Sequence, residues 1–321
     1  MTDPATALVT GAAGFFGQAI VRALGLAGVS VVATDRLPRE AYAPRPGTPL
    51  ERVTYERRDL THEGVADLVA VVDGVVHAAA LTLPDERGAA ADDLLATNLA
   101  PLPGLLSAIR LAPTCQRLIL VSSAGVYDQS VEGTLAENAA DGGTGLYGAA
   151  KLAAELIAAR YCNLHGIEHA AVRPTSLFGP GEVERASRPR VTPLAHLVRH
   201  AIRDEPVRLE RAAARCDWLA VDDAADAIVT LWQATHLEGG PFNLSSGQPR
   251  TFAAVAEAVG RVAGLRLAAE ATAVDGGADR PACIDNGAIR AAIGWQPRRS
   301  LDEAIGDLVA ELRKEGAACS T

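Results

Sequence analysis

The chain has 321 residues, 49% of them hydrophobic and 21% charged, which is the balance of a soluble globular protein and not of a disordered one. Its net charge of -9 argues against a protein built to grip nucleic acid, which needs a basic face. An anionic small ligand, held by one arginine or a helix N-terminus, is still allowed. The opening MTDPATALVTGAAG lacks the basic and apolar regions of a secretory leader, and no run of about 18 uninterrupted apolar residues predicts a membrane span. The cysteines Cys115, Cys162, Cys216, Cys283 and Cys319 are odd in number and form no C-x-x-C pair. Free thiols in a reducing cytoplasm are therefore expected. The scattered histidines show no spacing that suggests a metal.

In chain order, the pattern predicts a buried strand over 5–10, a helix over 15–27 and a strand over 29–34. A short strand at YERR follows, then a strand over 75–79, a helix over 91–111 and a strand over 117–123. A helix over 147–164 and a strand over 168–174 complete the series. Apolar strands alternating with helices predict an α/β fold, a Rossmann-type doubly wound parallel sheet. After Arg173 a stretch rich in Pro, Gly and Arg predicts irregular chain, then a helix over 194–204. The strand 217–221 and helix 222–236 are expected to return to the main sheet. The strand 242–247 and helix 251–263 are assigned to a smaller lobe, with a Gly-Trp-x-Pro turn at 294–297 and a last helix over 301–314. The division is thus 1–173 plus about 216–242 for the first domain, and about 174–215 and 243–321 for a C-terminal substrate-binding lobe.

Gly11, Gly14 and Gly17 sit between the first strand and the first helix, with Phe15 and Phe16 opening that helix. Glycines there allow a tight turn, backbone approach to a pyrophosphate, and close helix–strand packing, while the helix N-terminus faces the phosphates. Asp35 ends the second strand, where a carboxylate accepts from the adenosine ribose hydroxyls. It would repel a 2′-phosphate, favouring NAD over NADP, although Arg36 offers a guanidinium next door. Asp59 and Leu60, after the short third strand, are candidates for the adenine edge.

Tyr147 and Lys151 lie four apart at the start of a helix, hence on one face. An ammonium there stabilises the phenolate and lowers the tyrosine pKa, suiting it to exchange a hydroxyl proton as hydride leaves or returns to carbon. Ser122 and Ser123 end a strand about 25 residues earlier, the edge where open α/β sheets bind ligands. A serine hydroxyl there can hold the substrate oxygen beside the tyrosine.

Glycine turn, acidic strand end, H-A-A-A, S-S-A-G-V-Y, Y-x-x-x-K and R-P-T-S-L-F-G-P-G follow in one order. On these motifs the chain resembles an extended short-chain dehydrogenase/reductase of the NAD-dependent epimerase/dehydratase family, from Thr10 to the G-W-x-P turn and the helix beyond. The resemblance implies NAD as cofactor, Ser123, Tyr147 and Lys151 as catalytic residues, and His77-Ala78-Ala79-Ala80 as the segment passing over the cofactor. Asn98 is similar to the asparagine that steadies the active-site helix, and Pro174 and Thr175 to residues bordering the nicotinamide. Thr82, Ser123, Ala124, Arg215 and Arg280 are the candidate substrate contacts, with Arg185, Arg188 and Arg190 as further cations. A homodimer is implied through 91–111 and 147–164, whose face Ala149, Ala150, Ala153 and Ala154 would permit close helix approach.

The chain departs from the family where many nucleotide-sugar members have Arg-Asp-Phe. Here Cys216 stands in place of that diphosphate-holding arginine, with Arg215 one position earlier. The segment LTLPDERG after Ala80 lacks the usual serine-containing loop, and Ser123-Ala124-Gly125 replaces the Thr-Asp-Glu run of dehydratases. The resemblance therefore implies a small-molecule substrate, with no nucleic acid or membrane partner. The activity would be epimerase-like hydride transfer on a sugar or nucleotide sugar, or net oxidation of a free sugar, sugar acid or related alcohol. A non-catalytic NAD sensor on the same fold is the third reading.

Overall fold

A computed structural model describes residues 5–82, 88–128, 133–139, 145–184, 189–205, 207–209, 212–264, 269–271 and 283–318. Seven strands form its main sheet: β1 (Thr6–Thr10), β2 (Ser30–Asp35), β3 (Val53–Arg57), β4 (Gly74–His77), β5 (Arg117–Val121), β6 (Glu168–Pro174) and β7 (Glu238–Leu244). Their spatial order is β7-β6-β5-β4-β1-β2-β3 and every neighbouring pair is parallel. Parallel strands are covered on both faces, which explains why ALV in β1 and VV in β4 are uninterrupted apolar runs, fully buried. The strand order reverses between β1 and β4, opening a crevice at the carboxyl ends of these strands.

Among the described residues, ten helices accompany the strands: α1 (Phe15–Leu26), α2 (Ala66–Val69), α3 (Ala89–Asn98), α4 (Leu102–Leu111), α5 (Leu146–His165), α6 (Pro193–Ile202), α7 (Val221–Gln233), α8 (Phe252–Ala263), α9 (Gly287–Ile293) and α10 (Leu301–Ala318). One face of the sheet carries α1 and α7, joined by Ile20, Leu24, Ile228 and Leu231. The other carries α2, α4 and α5, through Leu68, Leu105, Ile109, Ala154 and Ala158. A separate apolar cluster, with Leu194, Val198, Val255, Val259, Ile305 and Leu308, joins α6, α8 and α10 beside the sheet.

Three expectations change. The single helix over 91–111 is two ten-residue helices, α3 and α4. Pro101 lacks the N–H that would continue α3, yet its fixed φ suits the start of α4. Residues 89–111 are, among the described residues, the one stretch long and apolar enough to cross a bilayer, but this break divides them, and Leu94, Leu102, Leu105 and Leu106 are buried in the protein. The strand Trp218–Ala220 does not return to the main sheet. It pairs with Ser176–Phe178 in a separate ribbon. Residues 242–244, assigned to the smaller lobe, instead lie in β7 and pair with β6, Asn243 opposite Arg173. A short apolar run marks a strand without naming its partner.

Helix α5 also sorts its alanines differently. Ala150 and Ala154, each 3% exposed, pack into the chain's own core, while Ala149, Leu156, Ile157 and Leu164 face outward.

Candidate active site

The crevice begins at the turn after β1. Gly11 has a φ of +66°, and a Cβ there would lie 2.6 Å from the Ala79 Cα. A Cβ on Gly17 would lie 2.0 Å from the Gly11 carbonyl oxygen, so Gly17 lets α1 dock behind the turn and does not itself line the cleft. No side chain caps the start of α1, which leaves that end suited to an anion. Phe15 is 7% exposed and Phe16 half-buried, both packed against the core, and neither is among the residues that line the cleft. Gly11 and Gly14 line the cleft together with Asp35, Arg36, Asp59 and Leu60. Ala78, Ala79 and Ala80 line it beside Gly11, and Leu81 and Thr97, which sequence reasoning missed, extend it.

The Asp35 carboxylate accepts from Ala13 N at 3.1 Å and Leu37 N at 3.2 Å. Each oxygen keeps a further lone pair for a ribose hydroxyl. Asp59 accepts from the Thr61 hydroxyl at 2.7 Å and its N–H at 3.0 Å, and the hydroxyl bond above all holds the carboxyl below the usual range. Asn98 differs from expectation. Its amide accepts from Leu81 N at 2.6 Å and donates to Leu81 O at 2.9 Å, so it clasps the segment after β4 and does not bond the active-site helix. Thr82 is exposed beyond this clasp.

The reacting end lies at β5. Ser123 Oγ accepts from Gly125 N at 3.0 Å, capping the short turn Ala124–Val126. Tyr147 comes from the first turn of α5. A Cβ on Gly125 would lie 3.3 Å from Ser123 Oγ and 3.6 Å from Tyr147 Cδ1, so the two side chains converge over this glycine. One turn further, Lys151 is 3% exposed, and its Nζ donates to Val121 O at 2.9 Å and stands 5.9 Å from the Tyr147 ring centre. Burial pushes the Lys151 pKa down to about 8, with the Glu155 carboxylate opposing. Buried His77 shares a 2.8 Å hydrogen bond with the Thr10 hydroxyl, and burial first, then the Lys151 charge, push its pKa down to about 3.

Behind these groups runs a network that sequence reasoning missed. Arg173 donates to Glu155 through Nε at 3.0 and 3.2 Å and Nη2 at 2.6 Å, and through Nη1 to the Tyr127 hydroxyl at 2.8 Å. Tyr127 donates to Asn243 Oδ1 at 2.7 Å, and Asn243 Nδ2 donates to Asp285 O at 2.9 Å. Burial works against the Arg173 charge, but the bonds and charge of Glu155 outweigh it and raise its pKa. The signal was Glu155, one turn after Lys151, with Arg173 inside an apolar strand.

Ser123, Ala124, Pro174, Thr175 and Arg215 border a second pocket beside the reacting end, and Ser176, Cys216 and Asp217 also line it. Arg215 is exposed and donates from Nη2 to Pro249 O at 3.1 Å. Arg280, Arg185 and Arg188 lie outside the described residues, and Arg190 is exposed.

The pattern of the NAD-dependent epimerase/dehydratase family matches residues 7–245. The chain belongs to this family. A dTDP-glucose 4,6-dehydratase of an Actinoplanes species is 28% identical over 95% of this chain and 97% of its own length. A dTDP-L-rhamnose 4-epimerase of Burkholderia thailandensis is 25% identical over 98% and 97%. A Streptomyces niveus dTDP-glucose 4,6-dehydratase is 32% identical, but over only 54% of each chain. Among solved structures, MoeE5 in complex with UDP-glucuronic acid and NAD superposes with a TM-score of 0.82 at 25% identity, covering 97% of this chain and 99% of that one. As a family member the chain is an enzyme and its cofactor is NAD. The glycine turn, with no room for a Cβ at Gly11 or Gly17, and the Asp35 carboxylate at the cleft edge fit that dinucleotide.

Proposed function

We propose that this family member transfers hydride at a hydroxyl-bearing carbon of a sugar, free or carried on a nucleotide, in the manner of an epimerase. The observation that carries the reading is the convergence of Ser123 and Tyr147 over Gly125, with Lys151 one helical turn behind. Ser123 Oγ holds the substrate oxygen. Tyr147 takes the hydroxyl proton as the carbon is oxidised and returns it on reduction. The Lys151 ammonium, still charged at neutral pH with a pKa of about 8, stabilises the phenolate. NAD, when bound, accepts the hydride and can give it back. The similarity to a dTDP-L-rhamnose 4-epimerase supports inversion at the oxidised carbon. Net oxidation with release of NADH is the second reading, favoured by Cys216 in the arginine position.

The test is Tyr147→Phe. Turnover is expected to fall by about a hundredfold or more, the contribution of one positioned acid–base, with NAD affinity retained. Unchanged turnover would remove Tyr147 from the chemistry.

A homodimer is part of the same proposal. Leu95 on α3, Leu111 on α4, and Leu156, Ile157 and Leu164 on α5 are 38%, 67%, 57%, 42% and 77% exposed, a set of apolar side chains that a second copy would cover. We also place the protein in the cytoplasm, where NAD and free thiols such as Cys115 and Cys162 are at home.

A further inference from the structure

One side of the dinucleotide cleft is held by two residues that do not line it. After β4 ends at His77 the chain leaves the sheet, and its amides must find partners outside the ladder. Ala78 N donates to Thr10 O at 3.2 Å, Ala79 N to the Thr10 hydroxyl oxygen at 3.3 Å, and Leu81 N to Asn98. Ala79 also meets the glycine turn, since a Cβ on Gly11 would lie 2.6 Å from both its N and its Cα. The seat of the Ala79 peptide against Gly11 therefore depends on the Thr10 side chain. Thr10 and His77 face each other in the register of β1 and β4 and are 0% and 3% exposed. Neither is among the residues that line the cleft, whereas Gly11, Ala78, Ala79 and Ala80 are.

The hydrogen bond between the two side chains places their protons. The Thr10 hydroxyl lies 2.8 Å from His77 Nδ1, and its oxygen already accepts from Ala79 N. A hydroxyl has one proton, and among the described residues His77 Nδ1 is the acceptor within its reach. The arrangement that leaves no buried donor unmatched has the hydroxyl donating to Nδ1, which puts the ring proton on Nε2. A protonated ring would carry an N–H at Nδ1 and leave the hydroxyl proton without an acceptor. Burial and the nearby Lys151 charge both keep the ring neutral. A lone threonine hydroxyl can turn about its C–O bond. With its proton held by Nδ1, its oxygen stays presented to the Ala79 N–H.

We propose that Thr10 and His77 are positioning residues for NAD. The bond from the Thr10 hydroxyl to His77 Nδ1 fixes the hydroxyl oxygen on the Ala79 N–H, and so sets the 78–80 segment at the spacing from Gly11 that receives the dinucleotide. Both side chains act through the Ala79 backbone.

The experiment titrates NAD by calorimetry into the full chain freed of nucleotide. Thr10→Val keeps the branched shape and removes the hydroxyl, and its NAD Kd is expected to rise about fivefold to tenfold, the loss of one hydrogen bond. Thr10→Ser puts the hydroxyl back and is expected to stay within about twofold of the wild type. His77→Leu should raise Kd in the same direction. The double variant Thr10→Val with His77→Leu should show no more than about the larger single change, because both cut one linkage. Nitrogen NMR of the histidine-labelled wild type should show His77 protonated on Nε2 and bare on Nδ1, unchanged between about pH 5 and 8. That spectrum requires no variant to fold. A packing role alone would lower the melting temperature of Thr10→Val and His77→Leu and leave their NAD Kd at the wild-type value, which would overturn the proposal. Additive losses of affinity in the double variant would overturn it as well, and so would a wild-type His77 that carries its proton on Nδ1.

Discussion

Glu155→Gln removes one charge from the pair that braces α5 against β6 and keeps its shape. The Arg173 and Glu155 side chains are 3% and 6% exposed, so water cannot replace the lost carboxylate. Removing one partner of such a buried pair costs about 3–5 kcal/mol, because the other charge stays buried uncompensated. The glutamine amide still offers one acceptor oxygen, and Arg173 keeps its bonds to Tyr127 and the Glu137 carbonyl, which places the loss near the lower end, about 3 kcal/mol. Urea denaturation reads this directly as a fall in midpoint at unchanged slope. The double variant Glu155→Leu with Arg173→Met is expected to lose less than the sum of its single variants, since each alone strands its partner. The pair also reaches the chemistry. Glu155 opposes the burial that pushes Lys151 down to about 8, so in Glu155→Gln the alkaline limb of the rate profile should move to lower pH. A stability loss below about 1 kcal/mol, the range of an exposed ion pair, would refute the reasoning.

Gly17→Ala places its Cβ 2.0 Å from the Gly11 carbonyl, and backbone cannot yield cheaply, so a loss of at least about 1–3 kcal/mol and weakened NAD binding are expected by denaturation and titration. Gly14→Ala meets the same oxygen at 3.0 Å and should disturb folding far less than Gly17→Ala. Buried His77 predicts a pH effect: below about 6.5 the unfolded imidazole binds a proton that the folded one refuses until about 3. Stability is therefore complete above pH 6.5 and falls with acidification at about 1.4 kcal/mol per pH unit, about 2 kcal/mol by pH 5. His169 and His196 shift downward from burial too, so the check is a shallower acid slope in His77→Gln than in the wild type. Leu156→Glu with Ile157→Lys on the outward face of α5 should convert a dimer to monomer by light scattering, with helicity retained; a monomeric wild type would end that proposal.

What the sequence made legible was local. The glycine turn, Asp35 and Tyr147-x-x-x-Lys151 each place their chemistry through spacing along one strand–turn–helix or one helical face, and a period of 3.6 or 2 exposes that. What stayed hidden depends on partners far apart in the chain. The Glu155–Arg173–Tyr127–Asn243 network spans three elements, and no single stretch carries its pattern. The exchange of places between Trp218–Ala220 and residues 242–244 has the same origin, since a short strand-like triplet fits either sheet. Asn98 was recognisable as a fixed point, but its partner, the Leu81 backbone, emerges only when α3 folds back against the segment after β4.

The bond from Lys151 Nζ to the Val121 carbonyl bears on where the enzyme spends its conformational entropy. A lysine side chain loses up to about 2 kcal/mol of rotamer freedom when fixed. Here the sheet imposes that loss as the chain folds, so it is not subtracted again when cofactor and substrate arrive. The ammonium retains two further N–H donors for them. Binding energy that a mobile lysine would consume in being ordered stays available to hold the reacting carbon in place.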